Sequence, residues 1–230
     1  MGFNKILFVF LGLLLLGSGL VMAISNASVS GTPLDRWGGN ANAGSITTEG
    51  GNITSANVAA NTLTDRWAGF FGNVTGNIYL TDNSGNTTNY LFMWTASSPT
   101  GYVCVSENNN FPFGSATNAT AAGIDGAWSF GAATDNATNT FTTSTCDITF
   151  YNPYVEITDT ATAKNATNSA FETCAIDDGT SSPAETDFAF CTAINQSGKN
   201  YLNQSADYEL IVPTTVGSAT ETYYFYAELN

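Results

Sequence analysis

The sequence predicts an all-β fold, a two-sheet antiparallel sandwich of jelly-roll-like topology preceded by a hydrophobic signal-peptide helix. Three observations predict it. Short β-branched and aromatic runs, about nine or ten of them, are bounded by Gly, Asn, Asp and Pro at the spacing of sandwiches and barrels. Outside the amino-terminal run, no window holds apolar residues at helical spacing for about three turns. The charge and cysteine content suit an exported β domain.

The export signal comes first. Met1–Lys5 carries one basic side chain, Ile6–Leu16 is apolar, Gly17-Ser18-Gly19 breaks the helix, and Leu20-Val21-Met22-Ala23 offers a cleavage site. The rival reading is a membrane anchor, since the run from Ile6 to Ala23 is just long enough to span. The Gly-Ser-Gly break favours cleavage, with the mature chain starting near Ile24. The organisation is then a signal peptide over 1–23, an extended segment over 24–44 and a single β-sandwich domain over 45–230.

Strand faces follow from alternation. Val74, Ile78 and Leu80 share one face. Tyr90, Phe92 and Trp94 oppose Leu91, Met93 and Thr95 on the next strand, across a turn at Asp82-Asn83-Ser84-Gly85-Asn86. Cys146, Ile148 and Phe150 share a face, as do Phe188, Phe190, Thr192 and Ile194, and Thr222–Leu229 closes the series. The stretches Tyr90–Trp94 and Tyr223–Tyr226 have no polar face. Each is either covered within the fold or buried by a neighbouring subunit, because bare apolar edges aggregate.

The four cysteines, Cys104, Cys146, Cys174 and Cys191, imply two disulfides in an exported chain. Phe171–Ile176 and Thr186–Ile194 read as a hairpin about Asp177–Pro183, which sets Cys174 opposite Cys191. The favoured pairing is Cys174–Cys191 with Cys104–Cys146.

Nine Asn-x-Ser/Thr sequons are spread along the chain, at Asn26, Asn52, Asn73, Asn86, Asn118, Asn136, Asn165, Asn195 and Asn203. Each is an acceptor of N-linked glycan if surface-exposed in an exported protein. The net charge is −14 and only 10 % of residues are charged, so Asn, Thr, Ser and glycan carry much of the solvation. An acidic chain repels phosphate, which excludes nucleic acid as a partner. Hydrophobic content of 43 % and aromatic content of 13 % exclude wholesale disorder.

No catalytic residue is nominated. The chain has no histidine, which removes Ser-His-Asp and Cys-His chemistry. Two carboxylates suffice for glycoside hydrolysis, but no spacing singles out a pair. No metal site or cofactor is expected. Calcium is the one ion that the oxygen-rich Asp177-Asp178-Gly179 and Asp82–Asn86 loops admit, and neither has the spacing of a known calcium loop.

An internal echo remains. Leu34-Asp35-Arg36-Trp37-Gly38-Gly39 recurs as Leu63-Thr64-Asp65-Arg66-Trp67-Ala68-Gly69. Asp-Arg-Trp can pair the guanidinium with a carboxylate while it stacks on the indole, giving a local salt-linked turn. A functional reading docks one copy where its equivalent sits in the next subunit. Trp37, Trp67, Tyr224 and Tyr226 are thus the candidate assembly residues.

The signal, the sequons, the Ser/Thr/Asn/Gly-rich strands and the phrase Thr64–Gly76 together resemble small secreted proteins of archaeal cell surfaces, among them glycosylated pilin-like subunits of β-sandwich filaments. The resemblance implies a head-to-tail homopolymer in which 24–34 acts as donor strand for the next copy. The expected function is a non-enzymatic structural subunit of an extracellular filament or surface assembly. Its partners are copies of itself and N-linked glycan, with membrane contact only during export. The alternative is a monomeric carbohydrate- or surface-binding module with Trp and Tyr as stacking platforms.

Overall fold

The computed structural model describes residues 25–31, 45–59, 62–82, 88–151, 153–164, 170–181, 183–216 and 220–230. The signal peptide, Trp37 with the first Asp-Arg-Trp copy, and the sequons Asn86 and Asn165 lie outside the described residues. Among the described residues strand is the main regular structure and helix is minor. In order it forms β1 (Ser25–Asn26), β2 (Trp67–Gly72), β3 (Asn77–Leu80), β4 (Phe92–Thr95), β5 (Gly101–Ser106) and β6 (Thr117–Asn118). Helices α1 (Ala121–Ala127) and α2 (Ala137–Thr140) follow. Then come β7 (Thr142–Tyr151), β8 (Tyr154–Lys164), β9 (Glu172–Asp177), β10 (Phe188–Ala193), β11 (Tyr208–Pro213) and β12 (Tyr224–Leu229).

Every strand pairing is antiparallel. One eight-stranded sheet runs β1-β12-β5-β10-β9-β8-β7, with β6 also pairing β9. Two two-stranded sheets, β11-β2 and β3-β4, complete the set.

The large sheet curls into a half-barrel, and the aromatic side chains inside it say why. Phe113 follows β5 in a short helical turn and is fully buried. Its ring lies 5.1 Å from Tyr226 on β12 and 5.4 Å from Phe150 on β7, strands near opposite ends of the sheet. Strands so far apart in pairing order meet one plug only if the sheet wraps around it. Ile148, Ile157 and Ile176 fill the same interior, at about 1.5–3 kcal/mol for each large side chain buried.

The outer face is covered too. Val103, Val105, Phe188 and Phe190 pack there against Leu210 and Val212 of β11, Trp67 and Phe70 of β2, and Ile124 and Trp128 from the helical segment. Central strands therefore bury both faces. That explains why the Val-Cys-Val-Ser of β5 and the Phe-Ala-Phe-Cys-Thr of β10 are buried without alternation.

The helices are short because they rest on caps, not on periodic apolar stripes. The Thr120 hydroxyl accepts from Gly123 N at 3.1 Å to start α1, and Asn136 Oδ1 accepts from Asn139 N at 2.9 Å to start α2. Asp125 ties them together by accepting from Ala137 N at 2.6 Å and from the Thr138 hydroxyl at 2.6 Å.

The expected disulfide pairing is corrected. The bridges are Cys104–Cys191 and Cys146–Cys174. The hairpin itself is as expected, with Cys174 and Cys191 in register across β9 and β10. But Cys191 is also in register with Cys104 on its other neighbour, β5, their Cα atoms 4.0 Å apart. Three cysteines thus form one row across the sheet, and the bridge runs from the middle one to β5. Cys174 is left for Cys146. Register shifts on both sides of Cys146 bend β7 and bring its Cα within 5.9 Å of that of Cys174, past the intervening β8.

Candidate functional site

Among the described residues, the β3–β4 hairpin is a strand pair that the core does not absorb. It forms at the expected place, with Ile78 opposite Trp94 and Leu80 opposite Phe92. Partners across a strand pair project to the same side, as do residues two apart. Ile78, Leu80, Phe92 and Trp94 therefore share one face, and all four are exposed, Phe92 by 58 % and Trp94 by 53 %. The Phe92 and Trp94 rings stack on each other with centroids 6.0 Å apart. On the other face Tyr79 packs on Tyr90 at 5.2 Å, with Met93 exposed beside them. A two-stranded sheet is marginal in water on its own. This one carries apolar residues on both sides and holds only one ionisable acid, Asp82, among residues 76–96. Its base is held by Ala96 N donating to Gly76 O at 3.0 Å.

The second feature is the β12 edge. Tyr223–Tyr226 had two readings, and the structure divides them by residue. β12 lies between β1 and β5. Tyr226 is 3 % exposed, and its hydroxyl donates to the Asn108 carbonyl and accepts from Phe111 N, so it is a core side chain and not a contact surface. Burial raises its phenol above the ordinary range. Tyr224 points outward and is partly exposed. Of the segment expected as donor strand, residues 25–31 are described, and within them β1 pairs with the same chain's β12, Ser25 opposite Ala227 and Asn26 opposite Tyr226. Ala27 N adds a bond to Phe225 O at 2.7 Å.

The second Asp-Arg-Trp copy is not a local salt-linked turn. Arg66 Nη1 donates to Asp135 Oδ1 at 3.1 Å, the Thr64 hydroxyl donates to Asp135 Oδ2 at 2.7 Å, and the Trp67 indole N–H donates to the Asp135 carbonyl at 2.6 Å. The guanidinium sits over Phe130 at 5.8 Å, not over Trp67. Trp67 packs on Phe130 and Phe141 at 5.6 and 5.4 Å, which makes it a half-buried border of the core. The triplet docks a distant loop because Arg66 opens β2 where the 128–136 loop crosses. No spacing rule links residues so far apart in the chain. Asp135's carboxyl is held below its ordinary range, first by the Thr64 hydroxyl and then by backbone and Arg66.

The sequons divide by environment. Asn52, Asn73, Asn118 and Asn203 are exposed, and Asn26 lies in β1. Asn195 is half-buried, accepting from Ser197 N at 3.2 Å. Asn136 is 8 % exposed and its amide is engaged, Nδ2 donating to Gly131 O at 3.0 Å while Oδ1 caps α2.

The acids of the turn expected to admit calcium are used by the turn itself. Asp177 Oδ1 accepts from Gly179 N at 2.7 Å, and Asp178 Oδ1 accepts from Thr180 N at 2.9 Å. Among the described residues no three acids or cysteines gather in a metal-holding group.

Two features had escaped the sequence. Glu107, after β5, is half-buried, and its carboxyl is pushed up to about 7 by burial and then by the charges of Glu185 and Glu221. Tyr151 at the end of β7 and Tyr154 at the start of β8 are register partners and stand 62 % and 66 % exposed. The Asn-Pro turn signal was legible; that both rings point to solvent was not.

Comparison with known proteins gives no match: no family model, curated protein or solved structure is similar to this chain.

Proposed function

We propose that this chain is a secreted, N-glycosylated structural subunit that joins head to tail into an extracellular filament or surface assembly. The observation that carries the reading is the exposed face of Ile78, Leu80, Phe92 and Trp94 on a two-stranded hairpin. An apolar, nearly uncharged patch of that kind marks a contact surface. The β12 edge supports the same reading. A two-residue strand from the amino-terminal segment lies along it, and backbone pairing of this sort is equally available to the same segment of a neighbour. Hairpin face and β12 edge are different patches, so a contact between them is heterologous and propagates into a fibre unless the rotation closes a ring. In this reading β2–β11 laid over the curled sheet is the second layer of a jelly-roll-like sandwich, and the resemblance to archaeal filament subunits rests on the Thr64–Gly76 phrase and on composition.

The test is the double variant Phe92→Ser/Trp94→Ser. Both side chains are largely in water in the monomer, so the thermal transition should stay where it is. Assembly, followed by sedimentation and electron microscopy over a concentration series, should be lost. A wild-type protein that stays monomeric at high concentration, or a variant that assembles as well as wild type, overturns the proposal.

A further inference from the structure

A cleft beside the half-barrel is lined by chemistry that the assembly reading does not use. A cleft of about 510 Å³ lies where the ends of β5, β7, β10 and β12 gather. Its walls include Thr100, Tyr102, Thr149, Tyr151, Ile194 and Asn230. This volume is within the usual span of ligand pockets, roughly 300–1,000 Å³.

The walls are built, not accidental. Gly101 has φ +117°, and a side chain there would collide with the Glu228 carbonyl, so only glycine lets β5 approach β12 at the cleft floor. Thr100 Oγ1 donates to the Asn230 carbonyl at 2.9 Å, and Asn230 N donates back to Thr100 O at 2.9 Å. The buried carboxylate of Glu228 accepts from Tyr151 N at 2.8 Å and so fixes the strand that carries the Tyr151 ring. Tyr102 packs edge-on against Phe150 at 5.6 Å and forms the back wall. The Tyr151 ring, 62 % exposed and braced by Tyr154 at 6.4 Å, stands at the rim.

We propose that this cleft binds a neutral saccharide. The ligand class follows from the lining. Among the described residues no cation lines the cleft, and the chain carries a net charge of −14, so anionic ligands are repelled. A purely apolar ligand would leave the Thr149 hydroxyl and the Asn230 amide without partners, which disfavours it. A sugar ring satisfies both features: its C–H face lies on the Tyr151 ring and its hydroxyls meet Thr149 and Asn230. The glycan of a second copy and a free polysaccharide share this chemistry.

The experiment uses the full chain carrying Phe92→Ser/Trp94→Ser, so that binding is read apart from assembly. Maltose, cellobiose, mannobiose and N,N′-diacetylchitobiose are titrated by calorimetry and saturation-transfer NMR, with glucuronic acid as the anionic control. At least one neutral disaccharide should bind, and glucuronic acid should bind at least about tenfold more weakly. Tyr151→Ala should weaken the disaccharide at least about tenfold with the thermal transition unchanged, whereas Tyr201→Ala, an exposed tyrosine elsewhere, should not. Protein stripped of its own glycan distinguishes the sources. Tighter binding after stripping points to glycan of a second copy, and unchanged binding points to an outside polysaccharide. No binding by any of the four disaccharides, or full binding by the Tyr151→Ala protein, sinks the proposal.

Discussion

Asp135 is the residue on which the Asp-Arg-Trp segment hangs. It receives the Thr64 hydroxyl and the Arg66 guanidinium on its carboxylate and the Trp67 indole on its carbonyl. Asp135→Ala removes the first two and keeps the third. The pair is only partly shielded, so the expected loss is about 1–2 kcal/mol at neutral pH, measured by denaturant unfolding. Its folded-state carboxyl titrates below the ordinary range. A depressed acid contributes above its unfolded titration range and loses that contribution as pH falls through the folded value. Wild type and Asp135→Ala should therefore converge in the acid limb, below about pH 4. Glu107 has the opposite sign. Its carboxyl titrates near 7 in the fold because of burial and the neighbouring Glu185 and Glu221. A raised acid favours the fold below its unfolded range, and that advantage is lost as pH rises through 7. Glu107→Gln should raise the melting temperature at pH 8 and leave it nearly unchanged at pH 4. A loss of stability at pH 8 would show that the ionised form is the one the fold holds.

Among the elements, the row of cysteines across β5, β10 and β9 gives a firm expectation. Non-reducing peptide mapping should return Cys104–Cys191 and Cys146–Cys174 and no free thiol. The two bridges span sequence separations of 87 and 28 residues. In the chain-entropy account they contribute about 4.5 and about 3.5 kcal/mol respectively. The double variant Cys104→Ala/Cys191→Ala should therefore melt lower than Cys146→Ala/Cys174→Ala. The reverse order would mean that the bend of β7 stores more of the fold's stability than loop closure does. The β3–β4 hairpin is the contrasting element. It has strand propensity on both faces and no core to face, so its aromatic residues can be changed without touching the half-barrel.

For the whole molecule, the proposed N-glycosylation implies that the fold, more than the number of sequons, sets where glycan can attach. Intact mass and glycopeptide mapping of protein from its host should place glycan among the exposed Asn52, Asn73, Asn118 and Asn203 and none on Asn136. The Asn136 amide nitrogen is already bonded to Gly131 O, and the side chain is 8 % exposed, so a sugar on that nitrogen would compete with this bond and has little room. A glycan found on Asn136 would mean that this amide is placed differently in the mature protein. The same mass tests whether the chain is cleaved near Ile24.

The sequence alone determined the β character, the β3–β4 and β9–β10 hairpins, and the existence of two disulfides. These follow from local alternation, turn residues and cysteine count, which act over a few residues. It also marked Tyr90–Trp94 and Tyr223–Tyr226 as strands without a polar side. Only the tertiary structure decided that the first is exposed while Tyr226 is core, because which strand lands in the middle of a sheet depends on pairing order. Pairing order likewise chose the disulfides. Cys191 has a cysteine in register on each side, and nothing local distinguishes β5 from β9. Arg66 found Asp135 because the 128–136 loop crosses where β2 begins, and the ends of β5, β7, β10 and β12 met in one cleft because the sheet curls about Phe113. That curl is a property of packing shared by residues from every part of the chain, and no single segment encodes it.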